Sequence, residues 1–125
     1  MKIIITGGAG FIGSHIAERY TKSSPNTKII ILDNLSTGRL ENIDNFKKKV
    51  TFIKCNLSVK GNWVKHFNNA KYVFHIASLA DIVPSIEKPK EYYESNVTST
   101  LNVLEACRNY KCKKVIYAAS SSCYG

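Results

Sequence analysis

The sequence lacks the features that mark several classes of protein. No apolar stretch approaches the roughly 18 residues of a membrane span, and the apolar start of the chain is interrupted at Thr6-Gly7-Gly8, unlike a signal peptide. The four cysteines have neither C-x-x-C spacing nor close histidine partners, so we expect reduced thiols and no metal site. These absences predict a cytoplasmic protein without a membrane partner.

Acidic residues are also scarce. Asp and Glu total 9 against 18 Lys and Arg, which gives a formal net charge of +9. Such a balance is typical of nucleic-acid-binding proteins, but the lysines are scattered and the one run, Lys47-Lys48-Lys49, contains no aromatic residue. An anionic nucleotide ligand would itself favour a positive surface. We therefore interpret the lysines as solvated and expect no nucleic-acid partner.

Apolar residues make up 44% of the 125 residues, which suits one domain with a proper core. The run Ile29-Ile30-Ile31-Leu32 is continuous rather than alternating, as is typical of a strand covered on both faces. Such runs alternate with segments of helical composition, which predicts a doubly wound parallel α/β sheet of five strands over residues 1–125. The predicted strands span residues 2–6, 28–33, 50–54, 72–76 and 115–119.

The longest predicted helix covers residues 89–108. Pro89 suits its first turn, and Glu91 suits the positive end of the helix dipole. Apolar residues recur along it at spacings of four and three, which predicts a stripe that faces the core. That stripe comprises Tyr93, Val97, Leu101, Leu104 and Cys107.

A glycine-rich turn lies between the first strand and the first helix. In Thr6-Gly7-Gly8-Ala9-Gly10-Phe11-Ile12-Gly13, glycine allows a tight turn, a close approach of main chain to a pyrophosphate, and close packing of helix on strand. The phosphates would lie on free N–H groups at the helix start. Two registers fit, Gly8-x-Gly10-x-x-Gly13 and Gly7-x-x-Gly10-x-x-Gly13. Both predict a dinucleotide site.

Asp33 strengthens this interpretation. It follows Gly13 by 33 − 13 = 20 residues and closes the second apolar run. The carboxylate of an acidic side chain at that position accepts hydrogen bonds from the hydroxyls of the adenosine ribose, and it repels a 2′-phosphate. The sequence therefore favours NAD over NADP, although Arg39 is close enough along the chain to soften the preference.

Five motifs, taken in their order along the chain, resemble those of the extended short-chain dehydrogenase/reductase family, in its NAD-dependent epimerase/dehydratase branch. Within that family the pattern is most similar to nucleotide-sugar 4-epimerases of the UDP-glucose 4-epimerase type. The resemblance covers essentially the whole chain and implies a Rossmann fold. The motifs are Thr6–His15, Asp33–Gly38, Val73–Ala77, Asn96–Asn102 and Ser120–Gly125.

The resemblance implies a set of contacts with NAD. Gly7, Gly10 and Gly13 match the phosphate turn. Asn56 falls where the family usually has Asp, and its amide oxygen could still accept from the adenine amino group. The other implied contacts are Phe11, Ile12, Asp33, Asn34, Ser36, Thr37, Gly38, Leu57, Ile76, Ala77, Ser78 and Asn96.

The resemblance also implies a catalytic residue and a substrate side. Ser120 matches the catalytic serine or threonine, whose hydroxyl would bond the sugar 4-hydroxyl while hydride passes to NAD. Ser85 and Ser122 match substrate-side positions. The substrate would be a UDP-sugar, and the full-length protein a homodimer.

The family's Tyr-x-x-x-Lys pair would follow roughly two dozen residues beyond Ser120. We therefore expect residues 1–125 to be the NAD-binding part of a longer enzyme, incomplete at the carboxyl end, without the nucleotide-sugar domain and inactive alone. Two alternatives stay open. One is a non-catalytic NAD-binding module; the other is a nucleoside-diphosphate-hexose 4,6-dehydratase, against which Ser121 and Ser122 count because that chemistry needs acidic groups there.

Overall fold

The computed structural model describes residues 1–125 as one parallel five-stranded sheet with helices on both faces. The spatial order of the strands is β3-β2-β1-β4-β5, so the direction in which successive strands are added to the sheet reverses between β1 and β4. That reversal creates a crevice at the carboxyl ends of these strands. The predicted doubly wound fold is confirmed. The strands are β1 (Lys2–Thr6), β2 (Lys28–Asp33), β3 (Val50–Lys54), β4 (Tyr72–His75) and β5 (Lys114–Tyr117).

Helical segments connect every pair of consecutive strands. None of them combines the length and the apolar composition that crossing a bilayer requires. The α-helices are α1 (Phe11–Ser23), α2 (Ile82–Glu87), α3 (Pro89–Tyr93) and α4 (Ser99–Asn109), and the 3-10 segments are Leu40–Lys49, Asn62–Phe67 and Ser121–Tyr124.

The sheet divides the core into two layers because successive strand residues point to opposite faces. On one face Ile3, Ile5, Ile29 and Ile31 pack with α1 and the segment Leu40–Lys49. On the other face the cluster packs under α4 and the segment Asn62–Phe67, and it includes Ile4, Ile30, Leu32, Trp63, Phe67, Val73 and Val103. The isoleucines of β1 are fully buried, as strands covered on both sides require.

The long predicted helix is present but is not uniform. Its backbone stays helical from α3 into α4, with a π-helical turn at Glu94–Thr98 between them. It ends where Lys111 adopts a φ of 54° and the Cys112 N–H donates to the Cys107 carbonyl at 2.9 Å. This is a Schellman ending. Burial raises the pKa of the enclosed Cys107 thiol to about 12, so the thiol stays protonated at neutral pH.

The predicted core stripe of this helix is wrong except for Cys107. Tyr93, Val97, Leu101 and Leu104 are between 46% and 61% exposed. The face that packs on the sheet carries smaller side chains, which allow a closer approach of helix to strands. It comprises Ser99, Val103, Ala106 and Cys107.

Substitutions on the two faces of α4 test this orientation. We expect Leu101→Lys to change the free energy of unfolding by less than about 0.5 kcal/mol, since its side chain is mostly solvated. Val103→Ala should cost about 2 kcal/mol because it leaves a cavity in the core. Urea denaturation measures both, and a larger loss in Leu101→Lys than in Val103→Ala would contradict the observed face.

Candidate functional site

A cleft of about 440 Å³ opens at the carboxyl ends of the strands, at the β1/β4 reversal. Every residue that the sequence predicts as a cofactor contact lines this cleft except Asn96. The structure thus brings together Gly7, Gly10, Phe11, Ile12, Gly13, Asp33, Asn34, Ser36, Thr37, Gly38, Asn56, Leu57, Ile76, Ala77 and Ser78.

The glycine turn forms one wall of the cleft. Gly7 has a φ of +68°, and a Cβ there would lie 2.7 Å from the amide nitrogen of Ala77. A Cβ on Gly13 would collide with the Gly7 carbonyl oxygen, so α1 starts directly against the turn. Gly8 instead faces the side chain of Ile31, away from the cleft. The register of the phosphate turn is therefore Gly7-x-x-Gly10-x-x-Gly13.

The first turn of α1 presents free hydrogen-bond donors to the cleft. The first helical bond runs from the Ser14 N–H to the Gly10 carbonyl at 3.0 Å, and the N–H groups of Phe11, Ile12 and Gly13 have no partner in the protein. No acidic residue occupies this turn to satisfy them. Free N–H groups at the positive end of a helix dipole bind phosphate.

Asp33 is held by hydrogen bonds beside the glycine turn. Its carboxylate accepts from the Ala9 N–H at 2.9 Å and from the Leu35 N–H at 2.8 Å, and the residue is only 8% exposed. Each carboxylate oxygen keeps a further lone pair for a ligand hydroxyl. Arg39 does not line the cleft, so nothing cationic offsets the repulsion of a 2′-phosphate there.

The electrostatics of the cleft differ from what the net charge suggests. No lysine or arginine lines it, whereas Glu91 and Glu94 do, along with Asp33. A bound pyrophosphate would therefore meet backbone donors rather than cations, and an anionic ligand does not explain the basic surface. Neither Glu91 nor Glu94 is predicted from the sequence as a cleft residue, because only the fold brings this helix to the cleft. The structural feature that marks them is the π-helical turn that begins at Glu94, since such turns are frequent at functional sites.

Asn56 lines the cleft, but its oxygen is already engaged. The amide oxygen accepts from the Ser58 N–H at 3.0 Å and from the Ser58 hydroxyl at 2.7 Å. Both lone pairs are thereby used, which leaves the amide N–H groups as the free ones. The expectation that this oxygen accepts from an adenine amino group does not fit the observed geometry.

Asn96 does not line the cleft but holds a loop that does. Its amide oxygen accepts from the Leu79 N–H and its amide nitrogen donates to the Leu79 carbonyl, both at 2.8 Å. These two bonds fix the loop after β4, where Leu79 lines the cleft. The amide oxygen and the amide nitrogen each keep one further hydrogen-bonding position, so a direct cofactor contact by Asn96 stays a prediction.

A buried histidine holds the end of β4. The Thr6 hydroxyl oxygen accepts from the N–H groups of Ile76 and Ala77, so its own hydrogen goes to His75 Nδ1 at 2.7 Å. The Thr100 hydroxyl donates to the Asn96 carbonyl, so it accepts from His75 Nε2 at 2.8 Å. His75 is thus the neutral Nε2–H tautomer, and burial lowers its pKa to about 4.

The three predicted catalytic and substrate-side residues also lie outside the cleft. The Ser85 hydroxyl donates to the Ile82 carbonyl within α2. Ser120 and Ser122 follow β5, are exposed, and are joined by a bond from the Ser122 N–H to the Ser120 hydroxyl oxygen at 3.1 Å. They share the sheet edge of the cleft because β5 lies beside β4 and runs parallel to it.

Proteins of known description share this fold. The sequence matches the NAD dependent epimerase/dehydratase family over residues 3–125. The chain belongs to that family. A dTDP-D-glucose 4,6-dehydratase of Dictyostelium discoideum is 38% identical and matches 99% of the chain, which covers 30% of that relative.

Two solved epimerases superpose on nearly the whole chain. A UDP-N-acetylglucosamine 4-epimerase from Methanobrevibacter ruminantium M1 is 38% identical, with a TM-score of 0.89, over 99% of this chain and 39% of that one. The UDP-glucose 4-epimerase of Thermus thermophilus, solved with NAD, is 36% identical, with a TM-score of 0.79, over 96% of this chain and 38% of that one. The chain therefore spans less than half the length of these relatives.

NAD is the cofactor of this family, and the residues present fit it. A Cβ on Gly7 or Gly13 would collide with backbone, so glycine at both positions keeps the start of α1 directly against the turn. The unpaired N–H groups of α1 are the donors that a pyrophosphate needs. Asp33 supplies the acceptor for ribose hydroxyls.

Asp33→Asn tests the ribose assignment. We expect NAD affinity to fall about tenfold, because a charged acceptor is replaced by a weaker neutral one. NADP affinity should stay equal or rise, since the repulsion of its 2′-phosphate is removed. Titration calorimetry measures both, with Asp81→Asn as a control of equal charge change outside the cleft. Equal losses for NAD and NADP would contradict the role of Asp33.

The stability of the protein should fall in acid because of His75. Its pKa is lowered in the folded state, so the unfolded state takes up the proton first, and stability present above pH 6.5 is lost as the pH falls toward 4. Between pH 7 and pH 5 we expect a loss of about 2 kcal/mol. Urea denaturation at both pH values should show this loss shrink in His75→Gln and largely persist in the control His66→Gln; an unchanged loss in His75→Gln would refute the assignment.

Proposed function

We propose that this chain is the NAD-binding part of a nucleotide-sugar 4-epimerase that acts on UDP-hexoses. The observation that carries the proposal is the cleft itself, which is lined both by the free N–H groups of α1 and by Asp33. The similarity to two UDP-sugar 4-epimerases supports the substrate class. A cytoplasmic location and a homodimeric assembly stay predictions.

The chain's own residues would bind and orient the nucleotide. The N–H groups of Phe11, Ile12 and Gly13 would hold the pyrophosphate, and Asp33 would accept from the adenosine ribose. When bound, NAD supplies reversible hydride acceptance at the sugar C4 carbon, so that hydride returned to the other face inverts that centre. The loop Ile76–Ser78, held by Thr6 and His75, would form the nicotinamide side of the cleft.

Ser120 would orient the sugar 4-hydroxyl. Its oxygen accepts from the Ser122 N–H, while its own O–H has no acceptor in the protein and is free to donate. The proposal assigns no proton-accepting base within these residues. Tyr110 and Lys114 have the Tyr-x-x-x-Lys spacing, but they lie at the amino end of β5, on the edge opposite the cleft.

Two other functions remain as alternatives. The Dictyostelium relative is a 4,6-dehydratase, but Ser121 and Ser122 stand where that chemistry needs acidic groups. A non-catalytic NAD-binding module would need the cleft and would have no use for the free Ser120 hydroxyl.

An epimerisation assay on the protein isolated from its natural source tests the proposal. Incubated with UDP-glucose or UDP-N-acetylglucosamine, the protein should yield the 4-epimer, identified by chromatography of the nucleotide sugars. Ser120→Ala should lower kcat by about a hundredfold without changing NAD affinity, since the residue acts on the sugar hydroxyl. Ser121→Ala is the matched control. A 4-keto-6-deoxy product would support the dehydratase, and NAD binding without turnover would support the binding module.

A further inference from the structure

The lysines that are scattered along the sequence meet at one edge of the sheet. The order of the strands in space places Lys49, Lys28, Lys2, Lys71 and Lys114 in a row at their amino ends, and we call this row the basic edge. Lys2 and Lys28 are register partners, the Lys71 N–H donates to the Lys2 carbonyl at 2.8 Å, and the Lys114 N–H donates to the Lys71 carbonyl at 3.2 Å. All five strands contribute to the row.

No acidic side chain neutralises the basic edge. The protein has four ion pairs, and none of them includes a lysine of the row. The acids outside those pairs belong to the cleft or to segments at the carboxyl ends of the strands. These acids are Asp33, Glu41, Asp81, Glu87 and Glu91.

The surroundings of the row are also positive. Burial lowers the pKa of His66, and repulsion by Lys2, Lys65 and Lys28 lowers it further. The pKa of Lys2 is lowered by burial and by Lys28. The positive charges of these groups are therefore concentrated at one edge of the sheet, and the net charge of +9 is unevenly distributed over the molecule.

The basic edge is extended. With strands about 4.8 Å apart, the row spans about 19 Å. Four of its lysines are exposed, and none of the five lines the cleft. Nucleic-acid sites usually add arginine forks, stacking aromatics or an element that enters a groove. No arginine belongs to the row, and the ring of Tyr72 lies under the Lys71 ammonium group at 5.4 Å. An extended array of ammonium groups without these features fits an extended anionic surface better.

We propose, in contrast to the expectation from the sequence that the protein has no membrane partner, that the basic edge binds a membrane surface rich in anionic lipid. The protein would adsorb through these lysines without inserting any segment, because juxtaposed lysines are attracted by a negatively charged leaflet within a Debye length. The cleft lies at the opposite edge of the sheet, so it stays open to solvent in the adsorbed protein. This proposal stands independently of the proposed function.

Vesicle flotation tests the proposal with the chain itself. We expect the protein to float with phosphatidylcholine vesicles that contain about 30 mol % phosphatidylserine and not with vesicles of pure phosphatidylcholine. The bound protein should detach at about 0.5 M salt. The triple variant Lys28→Gln, Lys49→Gln, Lys114→Gln should bind about a hundredfold more weakly, at about fivefold per lysine. These three side chains make no hydrogen bond or ion pair, so thermal melting should be unchanged.

The matched control removes the same charge elsewhere, through Lys54→Gln, Lys60→Gln and Lys88→Gln. It should retain most of the vesicle binding. Equal losses in both triple variants, or no binding to anionic vesicles at low salt, would overturn the proposal. So would tighter binding to duplex DNA than to the vesicles at the same salt concentration, which would indicate a nucleic-acid surface instead.

Discussion

A close approach of backbone to backbone, that of the glycine turn to the loop after β4, sets the geometry of the cleft around it. Gly7 lies so near Ala77 that no side chain fits between them, and Gly13 lies still closer to the turn. Because this contact is made by backbone alone, α1 begins at the floor of the crevice and keeps its first N–H groups free. Asp33 then completes the arrangement, since its bond to the Ala9 N–H ties the turn to β2.

The sheet, the turn and the place of Asp33 could be predicted because each has a local signature. Continuous β-branched runs indicate strands covered on both faces, and the glycines stand where strand meets helix. The orientation of α4 could not be predicted in the same way. The apolar periodicity indicates the helix face with the largest apolar side chains, such as Leu101. The face that packs on the sheet instead carries Ala106 and Ser99, whose small side chains let the helix lie close to the sheet.

The side chains of the cleft show a second limit of sequence reasoning. A motif assigns a polar residue to the ligand, but in the folded chain that residue can bond to nearby backbone or side chains instead. The Asn56 oxygen is engaged by Ser58 two residues away, and Asn96 holds Leu79. His75 went unassigned because its role depends on Thr6 and Thr100, which only the fold brings to it from β1 and α4.

The distribution of charge follows from the topology itself. Parallel strands joined by antiparallel helices place helix N-termini at the carboxyl edge of the sheet and helix C-termini at the amino edge. Backbone dipoles therefore make the cleft attractive to anions with no cation in its lining, and they favour lysines at the opposite edge. A helix C-terminus, however, carries only about half an elementary charge, and the five lysines of the row have no carboxylate partner. The helix dipoles thus offset only part of the positive charge of the basic edge. The remaining positive charge is what an anionic partner would neutralise.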